Sequence, residues 1–179
     1  HMTSQVNEWI YSLRRDDAES QQAFENLYDT FYRPVFLLAV SITNDVSVAE
    51  DVAQEVFITV KKRAASFYSD SSGRAWIFSI TRNLSRYFLR TVSSEQGKVR
   101  KLVEGSVEFE KDVLDGIVVS QALDVLNSSE YQTVLLHVFG GFSLREIAEN
   151  TGVAYGTVLW RYHEARKKLK QYYEGGMQE

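Results

Sequence analysis

Seven basic side chains stand between Lys61 and Arg90: Lys61, Lys62, Arg63, Arg74, Arg82, Arg86 and Arg90. One acid, Asp70, accompanies them. Cations at that density suit phosphate. Aromatics are interleaved: Phe67, Tyr68, Trp76, Phe78, Tyr87 and Phe88. Arg82, Arg86 and Arg90 recur every four residues, so on a helix they share one side. Arg74 and Phe78 extend that row toward a polar loop, SDSSG, at residues 69–73. Cations and aromatics beside a loop fit single-stranded nucleic acid, whose phosphates take the charge and whose bases stack. The plainer reading puts Trp76, Phe78 and Phe88 in a core, and at least two of the three are expected there.

A second group lies near the C-terminus, in SLREIAENTGVAYGTVLWRYHEARKKL, residues 143–169. Ser143 and Glu146 make a capping box, in which the hydroxyl takes one orphan N–H and the carboxylate another. Leu144, Ile147 and Ala148 form an apolar face. Gly152 can enter the left-handed conformation that ends a helix. Apolar residues then recur at Val158, Tyr162, Ala165, Leu169 and Tyr172. Short helix, glycine turn and longer helix make a helix-turn-helix. An ordinary helical hairpin has the same stripe. From Gly156 to Tyr172 there are five basic residues (Arg161, Arg166, Lys167, Lys168, Lys170) against Glu164. The whole chain has a net charge of −4, so this island calls for a reason. Phosphate is one; a helix C-terminus that favours cations is another, and it suits Arg166 to Lys170.

The opposite sign appears in NDVSVAEDVAQEVF, residues 44–57, with Asp45, Glu50, Asp51 and Glu55 and no cation. Glu50, Asp51, Gln54 and Glu55 share a helix face. A solvated face is the default, and a docking surface for a basic partner is the sharper reading.

The elements that must carry these groups are helical. Apolar residues fall at three- and four-residue steps through Phe24, Leu27, Tyr28, Phe31, Val35, Leu38, Ala39 and Ile42. They do so again through Val48, Val52, Val56 and Val60, flanked by Ala49, Ala53 and Phe57. A third stripe, Ala75, Phe78, Ile80, Leu84, Tyr87 and Phe88, is less regular. Pro34, which lacks an N–H, is expected to kink or divide the first of these helices. The polar stretch from Val92 to Asp112 reads as a linker. The sequence therefore predicts an all-α chain of two small helical domains joined by a flexible linker: 3–91, a linker over 92–112, and a helix-turn-helix domain over 113–173.

Composition narrows the function. The 179 residues suffice for a packed core. There is no cysteine, so no disulfide framework and no thiolate metal site. His1 and Met2 read as a cloning remnant. No apolar run has the length of a membrane span, no signal peptide is evident, and the cytoplasm is the expected location. No metal-ligand spacing and no phosphate loop is found, and beyond His1 the histidines are His137 and His163. His137, inside VLLHVF, reads as a core histidine. No catalytic residue, metal or cofactor is expected.

These pieces, in this order, resemble a bacterial sigma factor of the extracytoplasmic-function group. AFENLYDTFYRPVFLLAVSITND resembles the first helix pair of region two, and AEDVAQEVFITV the segment that binds the clamp helices of RNA polymerase core. GRAWIFSITRNLSRYFLR resembles the part that opens and reads the minus-ten element. The stretch from Ser128 to Leu169 resembles region four, which reads the minus-35 element. The resemblance implies a promoter-specificity subunit that binds core at its clamp helices and flap. Asp51, Gln54, Glu55 and Ile58 would meet core, with Phe57 an apolar contact or core residue. Ser69, Asp70, Ser71, Arg74, Trp76, Arg82, Asn83 and Arg86 would serve the minus-ten strand, the loop forming a pocket for a flipped base. Tyr155, Thr157, Leu159, Trp160, Arg161, His163 and Lys167 would serve the minus-35 element, since the first turns of a recognition helix reach base edges. An anti-sigma factor is the implied regulator.

This chain departs from the family at Leu159 and Trp160, where a basic residue and Ser are usual. It departs again at His163 and Glu164, where Arg is frequent. Leu makes only apolar contacts, for instance to a thymine methyl, and Glu accepts from cytosine. Either an unusual minus-35 preference or weak DNA binding without polymerase follows. Ala154, where Pro or Ser is common, gives a poor cap. A stand-alone helix-turn-helix regulator is the competing reading. It would bind duplex DNA alone, as a dimer, whereas a sigma factor binds core first.

Overall fold

The computed structural model describes residues 2–68, 70–96 and 124–176, and among them every regular element is helical. The chain divides into two compact units, His1–Gly105 and Ser106–Glu179.

The first unit holds α1 (Met2–Ser12), α2 (Ala18–Thr43), α3 (Val46–Arg63), a 3-10 turn (Ala64–Ser66) and α4 (Gly73–Gln96). Side chains start the helices: Asp17 accepts from the Ser20 N–H at 2.8 Å, and Asp45 from the Val48 N–H at 3.0 Å. Between α2 and α3 the chain reverses at Asn44, which is left-handed at φ 54°, a conformation Asn tolerates better than most residues. Helices α2, α3 and α4 pack on one another, and α1 lies on α2 and α4. Leu27, Phe31, Val35 and Leu38 of α2, Val52, Val56 and Val60 of α3, and Ile77 and Phe78 of α4 are all buried where these helices pack. Phe31 and Phe78 sit edge to face at 5.9 Å.

Of the two outcomes expected at Pro34, a kink or a division, division does not occur; α2 runs unbroken from Ala18 to Thr43. The residues from Pro34 to Val40 are all buried, so packing on every side outweighs one lost hydrogen bond. The donor that proline lacks would have served the carbonyl of Thr30, and Thr30 is exposed. Helix α4 continues to Gln96, past Val92 where polar composition marked the linker. Residues 97–112 of that linker lie outside the described residues.

The second unit holds α5 (Ser128–Val134), a π-helical turn (Leu135–Phe139), α6 (Leu144–Thr151) and α7 (Tyr155–Gly176). Both α5 and α6 begin with complete capping boxes, Asn127 with Glu130 and Ser143 with Glu146. The π-helical turn shows in the Gly140 N–H reaching back to the Leu135 carbonyl at 3.0 Å. Gly152 ends α6 at φ 72°, as its type predicts. Helices α5 and α6 both pack on α7, where Val158 and Ala165 are buried.

Candidate functional site

Helix α4 is sorted by face. Ile77, Phe78, Thr81 and Ser85 point into the core. Asn83, Arg86 and Arg90 are exposed, while Arg74, Trp76 and Arg82 are half-buried. Phe78 is fully buried beneath Arg74, whose guanidinium lies 4.8 Å from its ring centre. The basic row therefore does not offer Phe78 to a base. Of the three aromatics weighed as core, Phe78 is fully buried, and Trp76 and Phe88 are half-buried. Trp76 packs on buried Phe67 at 5.2 Å. The exposed aromatic beside the loop is Tyr68, at 75%; its place in the basic stretch was the signal available for it.

The loop before α4 is held by backbone and side-chain hydrogen bonds. The Ser71 N–H donates to the Tyr68 carbonyl at 3.1 Å, and Ser72 caps α4 by accepting from the Ala75 N–H at 3.3 Å. Asp70 and Ser71 are exposed; Ser69 lies outside the described residues. Asn7 of α1, which sequence reasoning missed, bonds this loop at Ser71 and Gly73. Val6, Ile10 and Leu13, all buried, carry the helical spacing that marks α1.

Helix α3 presents the opposite sign. Asp51 and Gln54 are exposed, Glu50 and Glu55 half-buried, and Ile58 is 45% exposed. Asp45, counted in the same acidic run, serves as a helix cap. Phe57 is buried, and above it gather the rings of Phe24, Tyr28 and Tyr32 at 6.4, 4.9 and 6.5 Å. Tyr28, which falls on the apolar stripe, is 40% exposed. An aromatic surface thus adjoins the acidic one, a feature the stripe concealed because its spacing could not tell rim from core.

In the second unit the first turns of α7 present Tyr155, Thr157, Trp160 and His163 to solvent, with Leu159 and Arg161 half-buried. Trp160 is 60% exposed. Lys167, two turns on, is exposed. Ala154 contributes no side-chain cap to α7; its carbonyl accepts from the N–H groups of Thr157 and Val158 at 3.0 and 3.1 Å. Arg145 of α6 places its guanidinium 4.9 Å from the Tyr155 ring centre, adding a cation to the tip of the recognition helix that sequence reasoning passed over.

The basic island is partly internal. Lys168 donates to both carboxylate oxygens of buried Glu130 at 2.9 Å. Arg166 lies over the Tyr162 ring at 5.8 Å, and Lys170 pairs with Glu174 at 3.7 Å. His137 is held inside the unit: Nδ1 lies 2.7 Å from the Phe142 carbonyl, which can only accept, so Nδ1 carries the proton. Its ring meets Tyr162 edge to face at 4.7 Å. Among the described residues no group of three His, Asp or Glu side chains could hold a metal ion.

The comparisons with known proteins follow this division. Residues 27–95 match the sigma-70 region 2 family and residues 118–169 the sigma-70 region 4 family. The ECF RNA polymerase sigma factor SigW of Bacillus subtilis is 26% identical over 185 residues, covering 95% of this chain and 97% of that protein. The RNA polymerase sigma factor SigZ of the same organism is 29% identical over 153 residues, covering 84% and 87%. Two solved structures share the fold. CnrH, in complex with the cytosolic domain of CnrY, has a TM-score of 0.56 at 21% identity and covers 96% of this chain and 98% of its own. RpoE of Bartonella quintana, in complex with the anti-sigma factor NepR, has a TM-score of 0.52 at 22% identity and covers 84% and 96%. With both regions matched in order and relatives aligned over nearly their full length, the chain belongs to the sigma-70 family, in its extracytoplasmic-function group of RNA polymerase sigma factors.

Proposed function

We propose a division of labour for this promoter-specificity subunit. The N-terminal domain, residues 3–91, docks on RNA polymerase core through Asp51, Gln54, Glu55 and Ile58 of α3. Its other outward face reads the minus-ten element, with Asp70, Ser71 and Trp76 around an extruded base and Arg74, Arg82, Asn83 and Arg86 along the strand. Extrusion costs stacking, which a pocket and nearby cations must offset. The C-terminal domain, residues 113–173, lays the start of α7 in the major groove at the minus-35 element. Leu159 and Trp160 supply apolar contacts there, beside Tyr155, Thr157, Arg161 and His163, and Lys167 adds a phosphate contact.

The observation that supports this most is the sorting of charge in the first unit. One helix turns carboxylates and an exposed Ile58 outward, and another turns arginines outward. A protein surface and a nucleic-acid strand are the two partners such faces fit. The role is recognition rather than catalysis, and its place is with polymerase in the cytoplasm; no helix of the described residues is long and apolar enough to cross a membrane. An anti-sigma factor is the proposed regulator, as CnrH and RpoE are each held in complex with another protein. A free-standing regulator would leave the acidic face of α3 without a role.

The test is capture of bacterial core RNA polymerase by this protein, then transcription from a pool of promoter fragments. Core binding with a selected transcript is expected. Asp51→Arg with Glu55→Arg should abolish core binding while circular dichroism stays unchanged. Normal binding by that double variant would remove the docking surface.

A further inference from the structure

Helix α1 and the turn after it precede the segment matched to region 2, which begins at residue 27, yet together they hold both ends of the loop before α4. At the near end Arg14 donates from Nε to the Ala64 carbonyl at 3.1 Å, and from a terminal nitrogen to the Phe67 carbonyl. Phe67 is buried between Tyr11 and Trp76, with ring centres 5.6 and 5.2 Å away. At the far end Asn7 makes two hydrogen bonds of opposite sense. Its Nδ2 donates to the Ser71 carbonyl at 3.1 Å, and its Oδ1 accepts from the Gly73 N–H at 2.8 Å.

Gly73 completes the contact. A Cβ there would lie 2.7 Å from Cδ1 of Ile10, 2.8 Å from Oδ1 of Asn7 and 2.9 Å from Cγ1 of Val6. The helix rests on the loop backbone at a distance only glycine permits. The exposed side chain of Ser71 thus hangs from a backbone bonded to Asn7, with exposed Asp70 next to it.

We infer that Asn7 is a positioning residue for promoter reading: by pinning Ser71 and Gly73 it sets the loop geometry that selects the extruded base. This rests on the reading of that loop as the base pocket. The physical reason is preorganisation. Extruding a base already costs stacking, and a loop that had to be ordered at the same moment would discriminate less well.

The two bonds can be separated. Asn7→Asp keeps an oxygen for the Gly73 N–H, at a helix N-terminus where negative charge is favourable. It replaces the donor to the Ser71 carbonyl with a second acceptor. The experiment uses the full chain assembled with core polymerase and fluorescent single-stranded non-template oligonucleotides differing at one minus-ten position. Asn7→Asp should melt close to the wild-type temperature, the charge at the helix N-terminus offsetting the lost bond, and bind core as wild type does. Its preference for the selected base should fall about tenfold, the scale of one lost hydrogen bond. Asn7→Ala should lose the same preference and melt lower. Wild-type base preference in Asn7→Asp would overturn the proposal, as would a loss merely proportional to a lowered melting temperature. A wild-type holoenzyme with no base preference at any minus-ten position would overturn the pocket reading instead.

Discussion

Glu130 is 1% exposed and ionised inside the second unit. Burial pushes its carboxyl pKa up, but Lys168 on both oxygens and the backbone N–H of Asn127 outweigh burial, leaving it below the usual 4.5. A carboxyl with a depressed folded pKa adds stability that is complete above its unfolded pKa. That stability is lost as pH falls through the lower folded value. Lys168→Met should reverse the sign. The carboxylate would then be buried without its cation, the folded pKa would rise, and acidification would restore stability. The cost at neutral pH should be about 2 kcal/mol, below that of a fully buried pair, because the Lys168 side chain is 37% exposed. Thermal melts of both proteins at pH 7 and pH 4 check it: the gap between them should narrow on acidification.

At the scale of elements, α4 joins the core to the proposed nucleic-acid face, and among the described residues its inner side has one flaw. The hydroxyl of Ser85 is buried with no hydrogen-bond partner. A buried polar atom left unmatched costs about 1–3 kcal/mol. Ser85→Ala should therefore raise stability by about 1 kcal/mol, read as a higher urea midpoint at unchanged slope. Transcription should be unaffected, because Ser85 is buried on the core side of α4 while Arg86 and Arg90 are exposed. Helix α2 shows packing overruling a local signal. Pro34 was expected to kink or divide it, yet with the buried run around it the helix continues unbroken from Ala18 to Thr43.

At the scale of the whole molecule the net charge is −4, so positive potential exists only as local patches. Part of the C-terminal patch is spent internally, on Glu130, Glu174 and Tyr162. The free chain should therefore bind duplex DNA weakly at physiological salt, with a shallow salt slope, since each phosphate neutralised contributes about −0.9 to it. Core polymerase should raise promoter affinity by orders of magnitude. Titration of one labelled promoter duplex with the chain alone and with holoenzyme measures both. Tight binding by the chain alone, as a dimer, would favour the free-standing regulator.

Spacing and residue type alone determined the helical class, the two domains, the capping box at Ser143, the stop at Gly152 and the sorted charge of α3 and α4. Those properties are local: apolar periodicity, cap chemistry and glycine's conformational freedom act within a few residues. Tertiary structure decided the rest, because each remaining question concerned groups distant in sequence. Only folding shows that Phe78 belongs to the core and Tyr68 to the surface. Only folding takes Lys168 from the basic island to Glu130. The bonds from Asn7 to Ser71 and Gly73 span more than sixty residues, and no pattern along the chain encodes a contact of that range.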